Sequence, residues 1–395
     1  MNSAAADSGR RRVVVALGFG QLLAWGSSYY LLATLARPMA SGLGLAPVWV
    51  YAGFSGGLLV AALMGPWAGA RIDRSGGRKV LLASNLLFAL ALGVLGSAQG
   101  PYSLLAGWLI MGVAMPMGLY DAAFSTVVAL YGAQARSAIV GITLIAGLAS
   151  SVSWPLTAWV EALWGWRVAC LFWALLHLGA GTALHRFGVP RLARRPVLHA
   201  RHEDVRPAAS MRPTRALLIV AAALTANGFV FAAMATHLPH LLELSGCAPA
   251  IAISAAALVG VAQIVARLAD AAWLGRLHPL IGARLASSLH PIGVIAFGIF
   301  GVPFVYGFTA LHGAGVGLMT IVKGTLPLAL FGADGFGRRA GWLEAPARVA
   351  QALAPLVFGV LVDGIGAAAL WISAAIAALG ALGMFSLRRA GWRAS

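Results

Sequence analysis

Twelve separate stretches of this chain stay apolar for roughly 18 residues or more, the length a helix needs to cross a bilayer. They run 13–35, 47–70, 80–98, 102–131, 138–160, 167–186, 215–241, 250–273, 284–302, 304–331, 344–362 and 366–387, and are numbered spans 1 to 12. In hydrocarbon every backbone N–H and C=O must find its partner inside the protein, and a single apolar segment does so only as a helix. Hydrophobic residues are 60% of the sequence and charged ones 10%, against about a quarter charged in a soluble domain. The expectation is an all-α membrane protein of about twelve transmembrane helices. Little chain remains for a soluble domain.

The net charge of +17 would in a soluble protein suggest nucleic acid, but its distribution argues otherwise. With the N-terminus inside, Arg10, Arg11 and Arg12 precede span 1, and inner loops hold Arg71, Arg74, Arg78, Lys79, Arg136, Arg276, Arg284, Arg338 and Arg339. Segment 186–215 adds eight arginines and the tail adds Arg388, Arg389 and Arg393, whereas outer loops carry only Arg37 and Arg167. That asymmetry is the positive-inside pattern, which predicts both termini in the cytoplasm of a cell-membrane protein. Cys170 and Cys247 are too few and too apolar in setting for a metal or disulfide framework. Span 1 is too long for a cleavable signal peptide, and no soluble mature chain follows it.

A shift of 200 residues relates the two halves. Ala129-Leu130-Tyr131-Gly132-Ala133 matches Ala329-Leu330-Phe331-Gly332-Ala333, Gly141 falls on Gly341, and Pro155-Leu156 on Pro355-Leu356. Spans 4 and 5 then correspond to spans 10 and 11, so the repeats are parallel. The organisation expected is a disordered tail 1–12, a six-helix bundle 13–186, a basic cytoplasmic linker 187–214, a second pseudo-symmetric six-helix bundle 215–387 and a tail 388–395. Two such bundles around a midplane site can rock to give alternating access.

Charge concentrates once more in the loop between spans 2 and 3, Gly69-x-x-x-Asp73-Arg74-x-Gly76-Gly77-Arg78-Lys79. Gly76 and Gly77 would allow the positive φ of a tight turn, Gly69 would allow close helix contact, and Asp73 would face the positive N-terminal end of span 11. This pattern, at this topological place, resembles the signature loop of the major facilitator superfamily. The extra Gly77 is closest to monocarboxylate-transporter-like branches. The resemblance implies the twelve-helix fold of that family, secondary transport, and a loop that latches the two halves on the cytoplasmic side. Three departures weaken particular branches. Trp108 stands four residues before Gly112, where drug-efflux members carry an arginine. Gln263-x-x-x-Arg267 in span 8 resembles an Asp-x-x-x-Arg pair of monocarboxylate carriers with the acid replaced, and span 1 lacks their lysine.

Ionisable groups at membrane depth cost about 2.5–3.5 kcal/mol each to insert, so each needs a reason to be there. Lys323 lies nine residues before Gly332, about 14 Å from the helix end, too deep to snorkel. It reads as a cavity-facing anion-binding or coupling charge. Its partner would be a substrate carboxylate or Asp121, which sits at similar depth in span 4 and is the candidate proton-titrating group. The shift of 200 maps Asp121 onto Ile321, about 200° round the helix from Lys323, so the two cannot face the pseudo-symmetry axis equally. Arg267 and Asp270 are three apart and share a helix face, which allows either a local salt bridge or a carboxylate ligand in Arg267. Glu344, Arg348 and Gln351 form a ladder that opens span 11, with Glu344 a structural charge at the helix start and Arg348 a cavity candidate. Gln21, Tyr29, Tyr30 and Asn227 make spans 1 and 7 polar, and the resemblance puts these spans on the cavity, where such groups would contact substrate or hydrogen-bond between helices. His177, His237, His240 and His312 read as packing or interfacial histidines with no metal-site spacing.

No Walker-type phosphate loop is present, and neither cofactor nor metal is implied. The reading is a secondary active transporter for a small organic anion or metabolite, with the proton as coupling ion. Efflux of drugs or hydrophobic metabolites is the alternative within transport. An intramembrane enzyme or sensor is the alternative of another class, without a nucleophile–base pair or output domain to support it.

Overall fold

The structure is a computed structural model that describes residues 3–191 and 213–388. All twelve spans are helical. Span 1 comprises Ser3–Gly26 and Tyr29–Gly42, and spans 2 and 3 are Pro47–Ser75 and Gly77–Gly96. Span 4 comprises Pro101–Gly118 and Tyr120–Tyr131, and span 5 starts at Arg136, is interrupted at Gly147–Leu148 and turns into span 6 at Gly165. Span 6 continues through a π-turn at His177–Gly181 to Gly188. Spans 7 to 12 are Pro213–Leu244, Pro249–Ala272, Pro279–Phe300, Val305–Phe331, Phe336–Ile365 and Ala369–Ser386.

Local chemistry sets most of these boundaries. Pro47, Pro101, Pro249 and Pro279 open spans, where a missing N–H costs nothing. The repeated Tyr/Phe-Gly-Ala ends spans 4 and 10 identically, with Gly132 at φ 56° and Gly332 at φ 76°. Only glycine enters that region without strain. Two boundaries differ from the sequence reading. Helix begins at Ser3, so residues assigned to a disordered tail extend the first span; alanine and arginine propagate a helix well. Span 11 begins at Phe336, about two turns before its apolar stretch, because Gly335 at φ 61° provides the turn. Of the linker 187–214, residues 192–212 lie outside the described residues, as does 389–395 of the tail.

Breaks within spans are filled by side chains from neighbouring helices. At Leu119 the helix restarts with Ala122 N–H donating to Leu119 O, which bypasses the carbonyl of Gly118. Gln21 Nε2 donates to that carbonyl at 2.7 Å. Gln21 is fully buried and pins span 1 to span 4; it does not line the cavity, contrary to expectation, because the freed carbonyl recruits it. Ser27, at the break of span 1, joins a chain running to His177 (2.8 Å), on to Asn85 (2.9 Å) and His185 (2.8 Å), so His177 is a packing histidine with a partner on each side.

The halves touch from the middle of the bundle to one end, that of the 69–80 loop. Spans 2 and 11 cross through glycines: a Cβ at Gly69 would overlap the Gly337 carbonyl, and one at Gly341 would lie 2.5 Å from Gly65. Small residues allow helix backbones this close. Gly324 of span 10 seats Phe124 and Ile139. The apolar core at this end is continuous across the halves, with Leu328, Phe336 and Ala340 packed among residues of spans 1 to 5. Towards the other end of span 2, Ser55 still donates to Ala352 O at 3.1 Å, while Val48, Trp49 and Tyr51 are exposed. The loop end is closed.

Candidate functional site

The crossing described above leaves a cavity of about 1200 Å³, its mouth included, between the halves. Spans 1, 4, 7, 8, 9, 10 and 11 all contribute to its wall, and Asp121, Arg267, Lys323, Glu344 and Arg348 all line it. The break at Leu119 brings Tyr120 and Asp121 to the cavity at the start of a new helix. Trp25, just before the break of span 1, packs its ring 4.6 Å from Tyr29 and 5.3 Å from Tyr120, so one wall is aromatic and the facing wall is charged.

The partners of these charges differ from those expected. Lys323 Nζ lies 2.9 Å from Glu344 Oε2, and Asp121 pairs with Arg348. Lys323 and Asp121 therefore do not pair with each other, in keeping with their different azimuths on pseudo-equivalent helices. Glu344 is not at a helix start: eight residues of span 11 precede it, about 12 Å of rise, and it is 6% exposed. It is a membrane-depth carboxylate that neutralises Lys323. Arg348 also donates to Ala61 O at 3.1 Å, so one guanidinium of span 11 grips spans 2 and 4 of the other half. Such pairing lowers the cost of burying each ion.

Arg267 is different. It is 6% exposed and its Nη2 makes only long contacts, 3.3 Å to Gln263 Oε1 and 3.3 Å to Thr320 Oγ1. Its Nε has no hydrogen-bond partner, and among the described residues no carboxylate pairs with it. The local bridge to Asp270 does not form because Asp270, one turn nearer the loop end, faces Arg136 across the halves at 4.0 Å. Gly147, at the break of span 5, makes room for the guanidinium: a Cβ there would stand 2.5 Å from Nη1. The charges on the cavity wall thus comprise two neutral pairs and one surplus cation.

Of the polar candidates, Tyr29 donates to Gln351 Oε1 at 3.4 Å, and Tyr30 lines the same aromatic wall. Asn227 lines the cavity while donating to Ala223 O at 2.8 Å. Residues that the sequence reading left out also line it, among them Trp25, Tyr120, His290 and Thr320. The short segment between Gly332 and Phe336 could have signalled the early start of span 11 and hence the depth of Glu344. Nothing local marks the position of His290.

The charged loop sits at the closed end. Asp73 accepts from the backbone N–H of Gly337 (2.8 Å) and of Arg338 (2.9 Å), through one carboxylate oxygen each. These are the unpaired amides of the first turn of span 11, where a carboxylate is favoured by about 0.3–1 kcal/mol, up to ~2 when partly buried. Gly69 supplies the close approach. Of the two loop glycines only Gly76 takes positive φ, 76°; Gly77 starts span 3, and a Cβ there would overlap Thr126. Arg74 donates back to Ala70 O at 3.2 Å, Lys79 is exposed and Arg78 is half-buried. Asp73 and Gly69 meet span 11; the basic side chains are directed elsewhere.

Residues 17–319 match the Major Facilitator Superfamily. No curated protein matches the chain in sequence. Among solved structures it is similar to the human organic anion transporter MFSD10 (TETRAN), with TM-score 0.70 and 18% identity over 96% of this chain and 99% of that one. It is also similar to the proton:xylose symporter XylE bound to 6-bromo-6-deoxy-D-glucose, with TM-score 0.71 and 14% identity over 97% of each chain. At these identities the likeness is one of fold.

Proposed function

From the premise that this chain belongs to the Major Facilitator Superfamily, and is therefore a multi-pass membrane transporter of small molecules and not an enzyme, we propose that it carries a small organic anion by proton-coupled alternating access. The observation that carries the anion reading is Arg267. A cation held at membrane depth without a counter-ion is costly, and a substrate carboxylate would relieve that cost with charge-assisted hydrogen bonds. MFSD10, similar in fold, is an organic anion transporter, which agrees with this choice.

The moving bodies are the two six-span halves, 13–186 and 215–387, joined by the linker 187–214. The 69–80 loop and both termini face the cytoplasm of a cell-membrane protein, as the arginine distribution argues. Closure at the loop end then corresponds to an outward-facing state. Asp73 is the latch that holds it, through the two amides of span 11. Asp121 is the coupling carboxylate. Its pair with Arg348 joins span 4 to span 11 in the middle of the membrane; a proton on Asp121 cancels its charge, weakens its hold on Arg348 and frees the halves to part at that level. XylE, the other structure of similar fold, is a proton symporter.

Uptake into proteoliposomes of a panel of organic anions, with and without an inward proton gradient, tests this. Substrate uptake should rise with the gradient in wild type. Arg267→Gln should lower affinity at least tenfold, while Asp121→Asn should still exchange substrate but lose gradient-driven accumulation. Anion uptake unaffected by Arg267→Gln would refute the role of Arg267, and accumulation by Asp121→Asn would refute that of Asp121.

A further inference from the structure

In the C-terminal half of the cavity, His290 of span 9 and His312 of span 10 approach Nδ1 to Nδ1 at 3.0 Å, and His290 Nε2 lies 3.0 Å from Ser373 Oγ of span 12. The direction of the protons along this chain follows from its far end. Ser373 Oγ stands 2.7 Å from the carbonyl of Leu370. Two oxygens at that distance repel unless a proton lies between them, and only the hydroxyl has one to give. Ser373 therefore donates to Leu370 and can only accept from His290, so His290 carries its proton on Nε2 and its Nδ1 is a lone pair. His312 must then donate from Nδ1, which leaves His312 Nε2 as an unprotonated acceptor.

Both nitrogens of His290 are used, whereas His312 Nε2 has no partner among the described residues, and His312 lines the cavity. The cavity also holds donors, among them the guanidinium of Arg267 and the unpartnered indole N–H of Trp25, while its two carboxylates, Asp121 and Glu344, are each paired with a cation. We infer that His312 Nε2 is a substrate-reading acceptor, and that the transported anion carries a hydroxyl at the end remote from its carboxylate. This inference rests on the reading of Arg267 as the carboxylate ligand. His312 and Thr320, which touches Arg267, are eight residues apart on span 10. Eight residues are about 12 Å of rise and about 80° of turn, and both side chains line the cavity. A hydrogen bond of about 3 Å reaching inward at each end leaves about 6–9 Å between carboxylate and hydroxyl. A hydroxyaryl carboxylate of extended shape meets that span, and its ring would lie towards the aromatic wall of Trp25 and Tyr120. A site built to accept one hydroxyl proton discriminates against analogues lacking it, because its lone pair is otherwise left buried and unpaired.

Three ligands that share one frame and differ only at the para position separate the possibilities: 4-hydroxycinnamate, 4-methoxycinnamate and cinnamate, titrated at one pH against purified protein. Wild type should bind the hydroxyl compound about tenfold tighter than the other two. His312→Phe should keep cinnamate binding and lose the preference. Ser373→Ala removes the acceptor that sets the chain's direction; His290 can then carry its proton on Nδ1 and reverse the chain, so that His312 presents N–H and the methoxy compound gains. The Ser373 variant leaves both rings in place and covers the case in which His312→Phe fails to fold. Equal binding of all three to wild type, or a hydroxyl preference that survives in both variants, overturns the role of His312. Absence of binding by all three to wild type at millimolar concentration overturns the proposed substrate class. Binding by wild type that is undiminished in Arg267→Gln overturns instead the carboxylate site on which the inference rests.

Discussion

Replacing Lys323 by methionine tests the charge constellation directly. Methionine fills the space of the lysine stem and inserts without cost, so the effect falls on the partner left behind. That partner is Glu344, whose side chain is 8% exposed and whose Oε1 already lacks a hydrogen bond. Removing one member of a buried pair costs about 3–5 kcal/mol, most of it from the stranded charge. Lys323 is 25% exposed and the cavity supplies some water, which favours the low end, about 3 kcal/mol. The double variant Lys323→Met with Glu344→Met removes both charges and should recover most of the loss, giving a coupling energy of about 2 kcal/mol or more. The crossed double, Lys323→Met with Asp121→Asn, should recover less. It strands Glu344 and Arg348, which are four residues apart on span 11 and can offset each other only as an i,i+4 pair, so its coupling should stay below that of the matched double. Thermal unfolding of six proteins in one detergent, wild type, the three single variants and the two doubles, provides the comparison. Absence of recovery in the matched double, or a larger coupling in the crossed double than in the matched one, would refute the pairing.

Asp73→Asn should remove the charge opposite the first turn of span 11, lowering the ratio of loop-end-closed to open molecules by about five- to thirtyfold for 1–2 kcal/mol. Cross-linking between loop 69–80 and the start of span 11 should slow and uptake should fall while the melting temperature holds; unchanged cross-linking with normal uptake would count against the latch. A cysteine in place of Ser210, in the basic linker, should resist an impermeant thiol reagent in intact cells and react after permeabilisation. Labelling from outside would invert the proposed topology.

Most of the fold was legible in the sequence. Hydrophobic length and turn residues are local quantities, and in a bilayer an apolar segment has one way to satisfy its backbone, so twelve apolar stretches become twelve helices. The two-hundred-residue shift was legible for a similar reason: Gly132 and Gly332 end their spans in one backbone conformation that the residue type itself selects. Asp73 at the start of span 11 also followed from the sequence, through the motif and the general preference of helix N-termini for anions. What the tertiary structure alone decided was partnership. Lys323 meets Glu344 and Asp121 meets Arg348 because of how spans 4, 10 and 11 are rotated and how far span 11 extends, and neither is written in any one helix. Gln21 looked like a cavity residue and became a brace, since the carbonyl it satisfies is freed by a break in a different span. His290 carried no local mark, for its role depends on His312, 22 residues away, and on Ser373 in another helix. Electrostatic and hydrogen-bond energies fall off within a few ångströms, so they report which side chains the packed bundle brings together; hydropathy adds up along a single helix and needs no neighbour to be read.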